Sequence, residues 1–221
     1  GGTDDRLYVG TAEGIQIIGP TGGRDRFLPV DTGGPIRAIC AADAKKLYAA
    51  GETTIVVVKP ATGEVRKLIG LDKKAIATSL AVCGESLLVA DAGNKIVHRY
   101  TLDGEPRGKI GAKNDSAGIP GFFVPSPHLD IAALSDTEFW AVNPGRQSLE
   151  KYDISGRLLA SWRRASISIE GFCGCCNPVS LEVLSDGRFV TSEKGLVGIK
   201  IYGLDGEFES VAAGPGELFG D

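Results

Sequence analysis

Leu87-Leu88-Val89-Ala90-Asp91-Ala92-Gly93-Asn94-Lys95-Ile96-Val97-His98-Arg99-Tyr100, followed by Asp103-Gly104, reads as two short extended runs separated by one tight turn and ended by another. The same pattern recurs along the chain. Runs resembling Leu87–Ala90 begin at Leu7, Leu47, Phe139 and Phe189, so the five starts are spaced 40, 40, 52 and 50 residues apart. Each is followed by a second extended run, at 14–20, 54–60, 95–101, 148–154 and 198–204. Each second run meets a glycine: Gly22, Gly63, Gly104, Gly156 and Gly206, spaced 41, 41, 52 and 50 apart. Two independent markers therefore share one period.

Glycine suits such hairpin turns because it accepts positive φ without a Cβ clash. A third run follows each turn. In four units a further apolar run precedes the first, at 36–41, 78–82, 129–134 and 179–184. Four short strands per unit, joined by tight turns at this period, predict an all-β fold: a β-propeller of four-stranded antiparallel blades. The units fall at about 6–30, 35–70, 76–111, 127–164 and 177–213, within a single domain spanning 1–221. No segment carries a helical apolar stripe. The first unit lacks its innermost strand, and the last stops where the next innermost strand would start. Either one of five blades has three strands, or the chain is a fragment of a longer, six-bladed ring. The fragment is the expectation, because open blade edges invite aggregation.

The quoted stretch resembles the NHL repeat, as does Gly187-Arg188-Phe189-Val190 with Lys200-Ile201-Tyr202 and Asp205-Gly206. Tyr100, Tyr152 and Tyr202 each stand four residues before the turn glycine, where that family places an aromatic. Gly174-Cys175-Cys176-Asn177-Pro178 and the segment 120–127 resemble stretches of bacterial NHL-repeat proteins. The resemblance implies a six-bladed ring when complete, and one face offered to a protein or ligand.

The 221 residues hold 24 Lys and Arg against 28 Asp and Glu, a net charge of −4. That balance argues against nucleic acid as a partner. No window is apolar enough to span a membrane. The chain opens on Gly1-Gly2 without a methionine, so a periplasmic or secreted setting, with its signal peptide removed, is the expected location.

Two loops lengthen the period from 40 to 50 residues: 112–127 and 164–177. Long loops on a rigid scaffold are where function concentrates. Both enter innermost strands of neighbouring blades, so they should meet at one rim of the central channel. The second carries Cys173, Cys175 and Cys176, and His128 follows the first. Three readings of these thiols stay open. They could ligate zinc, copper or an iron–sulfur centre, with His128 as a further ligand. They could form a disulfide, Cys173–Cys176 or the vicinal Cys175–Cys176. They could be buried packing thiols.

Arg37, Thr78, Asp130 and Ser180 hold nearly matching positions in four innermost strands. With Asn177 they form a candidate ring for a small polar ligand on the axis; an Arg37–Asp130 bridge is the structural alternative. His98 aligns with Gln16, Val57, Glu150 and Lys200, a mostly polar set, which predicts a solvated strand position. Cys40 is expected in the core, and 143–146 as a simple turn with Arg146 exposed. No catalytic triad, phosphate loop or carboxylate pair is legible. The leading expectation is a non-catalytic binding scaffold for a protein or small polar ligand. The alternative is a metal- or disulfide-dependent redox protein or enzyme working through 173–176.

Overall fold

The computed structural model describes residues 5–194, 198–214 and 216–217. They form a propeller of five antiparallel blades. The first has three strands: β1 (Leu7–Gly10), β2 (Gly14–Ile18) and β3 (Arg24–Pro29). The second has β4 (Ala38–Asp43), β5 (Lys46–Ala50), β6 (Thr54–Lys59) and β7 (Glu64–Gly70). The third has β8 (Ala77–Cys83), β9 (Ser86–Asp91), β10 (Ile96–Thr101) and β11 (Pro106–Ile110). The fourth has β12 (Ile131–Ala133), β13 (Glu138–Asn143), β14 (Ser148–Asp153) and β15 (Leu158–Arg163). The fifth has β16 (Ser180–Val183), β17 (Phe189–Glu193), β18 (Gly198–Tyr202) and β19 (Phe208–Ala213). Among the described residues no helix is long and apolar enough to cross a membrane.

Strands follow each other in sequence order from the axis outward, so every connection within a blade is a hairpin. The five turn glycines of the repeat take φ between +77° and +94°, a region a side chain would resist. The second strands β5, β9 and β13 are buried almost throughout rather than alternately, because neighbouring blades cover both of their faces, whereas β17 of the fifth blade alternates. Leu87, Leu88, Val89 and Ala90 are wholly buried in this way, and so are Leu47, Tyr48, Ala49 and Ala50. The largest apolar cluster joins the third, fourth and fifth blades and takes in Phe122 and Phe172 from the two long loops.

Side chains also tie blade to blade through backbone groups. The Tyr48 hydroxyl donates to the Leu102 carbonyl at 2.8 Å, and Arg99 Nη1 donates to the Ile154 carbonyl at 3.0 Å. On the axis, β4, β8, β12 and β16 surround a cavity of about 250 Å³, lined by Cys40, Ala41, Ala81, Ala132 and Glu182 among others. The alanines let the inner strands approach closely. Cys40 lines this cavity and, as expected of a core position, packs against the apolar cluster between the second and third blades. Burial pushes its thiol pKa up, and the charge of Glu182 adds to that.

Candidate functional site

The β13–β14 turn organises both long loops. Asn143 is wholly buried at the end of β13. Its Oδ1 accepts from the Phe123 amide at 2.8 Å, and its Nδ2 donates to the Gly121 carbonyl at 3.1 Å and to Glu150 Oε1 at 2.8 Å. Arg146 reaches the Pro120 carbonyl through Nη2 at 3.2 Å. The first loop is thus held on one side of the turn. Phe122 anchors it further, edge-on to the Tyr152 ring at 5.8 Å.

Gln147, at the other end of the turn, takes the left-handed conformation (φ 55°). Its Nε2 donates to the Phe172 carbonyl at 2.9 Å and the Gly174 carbonyl at 2.8 Å. The second loop is thereby held on the other side. Phe172 sinks between Trp162 and Tyr202, 5.6 and 5.4 Å away. Beneath it lies a buried ion pair. Lys200 Nζ stands 2.5 Å from Glu193 Oε1, out of hydrogen-bond alignment, and donates to the Gly171 carbonyl at 2.8 Å. So 143–146 is more than a turn: it is the joint between the two loops. Its departure from the Asp91-Ala92-Gly93-Asn94 sequence of the preceding blade was the available signal.

The loops meet where they run into their innermost strands. Lys194 Nζ donates to Ser126 Oγ at 2.9 Å, and the Ser126 side chain lies close enough to Cys176 to stabilise its thiolate. Cys175 Sγ and Cys176 Sγ are 3.3 Å apart, and Cys175 is exposed. The Ser126 side chain, the Cys175 contact and the Lys194 charge lower the Cys176 pKa. The contact with Cys176 raises that of Cys175. His128 is half-buried near the same ammonium, and burial followed by the Lys194 charge lowers its pKa. All five cysteines are free thiols. Among the described residues no group of three or more Cys, His, Asp or Glu is placed to hold a metal ion. Cys173, Cys175, Cys176 and His128 are therefore not drawn together as a ligand set. What the loop does bring together is the vicinal pair.

Four of the five candidate channel residues are partnered elsewhere. Arg37 pairs with Glu52 at 2.8 Å. Thr78 Oγ1 donates to the Leu129 carbonyl at 2.6 Å. Asp130 accepts from the Ile131 amide at 2.9 Å and the Leu181 amide at 2.8 Å, sewing the fourth blade to the fifth; burial raises its pKa to about 6. Ser180 lies exposed opposite Ser192. The Asn177 amide clamps the Cys loop to Lys194: Oδ1 accepts from the Lys194 amide at 2.8 Å, and Nδ2 donates to the Lys194 carbonyl at 2.8 Å and to the Cys173 carbonyl. None of these partners belongs to the set, so the five residues make no hydrogen bonds to one another.

His98 also departs from expectation. It is buried, with Nε2 2.9 Å from Asp91 Oδ2. Burial alone would raise the Asp91 pKa, but hydrogen bonds from His98, Asn94 and the Ile76 amide outweigh it and hold the carboxyl well below its usual range.

No protein-family model matches the chain, and no curated protein does. Solved structures do. The WD40 β-propeller domain of Doa1 superposes with a TM-score of 0.67 at 14% identity, over 96% of this chain and 66% of that one. A streptogramin B lyase gives 0.64 at 13% identity, over 91% and 62%. A protein of unknown function from Bacteroides caccae gives 0.64 at 15%, over 94% and 71%. This chain spans less than two thirds of the length of the first two. At such identities the likeness concerns architecture alone, and by that architecture the chain is a β-propeller.

Proposed function

We propose that this chain is a non-catalytic interaction scaffold of NHL type, and that the rim built by 112–127 and 164–177 is its binding face. One observation carries the reading: a single turn, 143–147, pins both loops, so the rim is preorganised on a rigid sheet. Preorganisation lowers the entropic cost of binding. The loops also present Phe123, Ile167 and Ile169 to solvent, apolar side chains suited to a protein partner. A bacterial, extracytoplasmic setting belongs to the same reading. The test is quantitative capture from the native host by wild type and by Ile167→Asp/Ile169→Asp. The expected result is a partner lost from the loop variant and kept by Val211→Asp, which alters an exposed apolar residue of β19. Equal capture by all three proteins would sink the reading.

The 3.3 Å Cys175–Cys176 contact favours a second reading, a disulfide-dependent redox site. Joining the two thiols releases two protons and two electrons to an oxidant such as a peroxide, which is reduced to alcohol and water. Mild peroxide should lower the mass by two hydrogens and remove two titratable thiols. Cys175→Ser should give a sulfenic acid at Cys176 instead. Independent oxidation of both thiols without linkage would refute it. The metal reading has no comparable convergence of side chains behind it.

A further inference from the structure

Between the first long loop and the outer strands of the fourth blade lies a cleft of about 430 Å³, lined by no residue of the 164–177 loop. Its wall includes Phe123, Arg146, Ser148, Glu150, Ser161 and Arg163. Strand register explains why these side chains converge. Ser148 pairs with Arg163 and Glu150 with Ser161, so all four project from one face of the β14–β15 ladder. The exposed Phe123 ring closes the opposite side.

The charges in this cleft are unbalanced. Among the described residues neither Arg146 nor Arg163 has a carboxylate partner; the ion pairs of this blade involve Lys151 with Glu138 and Arg157 with Asp153. Both guanidinium groups are instead fixed by backbone carbonyls. Arg146 donates from Nε and Nη2 to Gly121 and Pro120, and Arg163 from Nε to the Arg146 carbonyl at 2.9 Å. That leaves the terminal nitrogens of Arg163 to face the cleft, preset for a planar two-oxygen acceptor. Glu150 lies at the floor, yet both its oxygens are taken, by Asn143 and by the Tyr152 hydroxyl at 2.7 Å. Burial raises its pKa, although those two bonds and Arg146 pull it back. The Ser148 hydroxyl is buried and has no hydrogen-bond partner among the described residues. Two guanidinium groups lining one cleft repel each other, and an anion bound between them relieves that repulsion.

We propose that this cleft binds the carboxylate of a small ligand, with Arg163 and Arg146 gripping the oxyanion and the ligand's apolar body lying on Phe123. The site shares Phe123 and the first long loop with the proposed binding face, but none of its contacts uses the second loop, its cysteines or Lys194.

The experiment is an NMR titration of the intact chain with benzoate, followed through the Arg Nε–H signals, with acetate and inorganic phosphate as the other probes. Saturable benzoate binding is expected, tighter than acetate. It should weaken at least ~10-fold, about 1.4 kcal/mol, in Arg163→Gln. Arg163→Lys keeps the charge and loses the parallel pair of donors, so it should weaken binding to an intermediate degree while the dispersed spectrum reports an intact fold. Phe123→Ser should reduce benzoate affinity to that of acetate. Lys194→Gln should leave it unchanged. Failure of benzoate to saturate, or equal affinity in wild type and Arg163→Gln, overturns the site. Phosphate binding more tightly than benzoate, with Phe123→Ser neutral, overturns the carboxylate and its apolar body.

Discussion

The buried Lys200–Glu193 pair should be the element on which the Cys loop depends most. Both residues are almost fully buried, and the ammonium also satisfies the Gly171 carbonyl at the base of the loop. Lys200→Met keeps the volume and removes the charge. It leaves a carboxylate buried without its counter-charge, a loss worth about 3–5 kcal/mol where one partner of a buried pair is deleted. Against a total stability of about 5–15 kcal/mol, the variant should remain folded but weakened, with its melting point lowered by roughly 10 °C. Urea unfolding followed by tryptophan fluorescence suits the question, because Trp162 packs on Phe172 and Tyr202 directly above the pair. The reading separates charge from packing through a double variant. Glu193→Leu with Lys200→Met removes both charges, and should recover about 2 kcal/mol or more of the single variant's loss. The single variant should also expose Cys175 and Cys176 to faster thiol labelling, because Gly171 loses its donor. A single-variant cost below about 1 kcal/mol, or a double variant no more stable than the single, would refute the argument.

Acid should act on Asp91. Its folded pKa lies below the unfolded value, so the stability it confers is present above about pH 4 and is lost as pH falls below that. Asp91→Asn should cost about 2–3 kcal/mol at pH 7 in chemical denaturation, and the gap to wild type should close on acidification; a constant gap would contradict this. Asp130 behaves in the opposite sense. With a folded pKa near 6, the native state keeps a proton that the unfolded chain releases near pH 4, so stability falls as pH rises from about 4 to 6. Carboxyl NMR should place its midpoint near 6, and Asp130→Asn should flatten that part of the stability profile; a midpoint below about 4.5 would refute the burial argument. Gly145→Ala places a Cβ 2.4 Å from the Phe123 ring and 2.6 Å from the Phe123 carbonyl, which already accepts from the Gly145 amide at 2.8 Å. The loop must yield, so calorimetry should show a loss of about 1–3 kcal/mol, together with weakened benzoate binding.

The blades were legible in the sequence because each solves the same local problem with the same residues. The runs of the second, third and fourth blades are buried on both faces, and Gly22, Gly63, Gly104, Gly156 and Gly206 all adopt the positive φ their turns need. The loops were legible as interruptions of the period, and both carry the convergence described above. What the sequence did not reveal was how polar residues pair. The polar residues aligned with His98 predict a solvated position for it, yet His98, Glu150 and Lys200 are all buried. Register explains this. His98, Glu150 and Lys200 stand opposite Val89, Ala141 and Thr191, and each meets a side chain seven residues upstream: Asp91, Asn143 and Glu193. The partners change together, acid with imidazole, amide with acid, acid with ammonium, so that the third, fourth and fifth blades each keep a complementary pair.

The second blade supplies the control. Its register puts Val56, not Val57, at the His98 position, opposite Ala49, and Gly51 follows where Asp91 would be. Both polar members are absent there together, and Val56 is buried like its counterparts. Gln16 of the first blade, with Val9 seven residues upstream, is only half-buried and donates to the Ile17 and Arg26 carbonyls, so a polar residue at this place signals a buried partner only where its upstream residue can complement it. The discriminating observation is not the residue's own polarity but whether position minus seven can complement it. That signal is present within a single repeating sequence, and it becomes visible only when two positions of the repeat are compared as a pair.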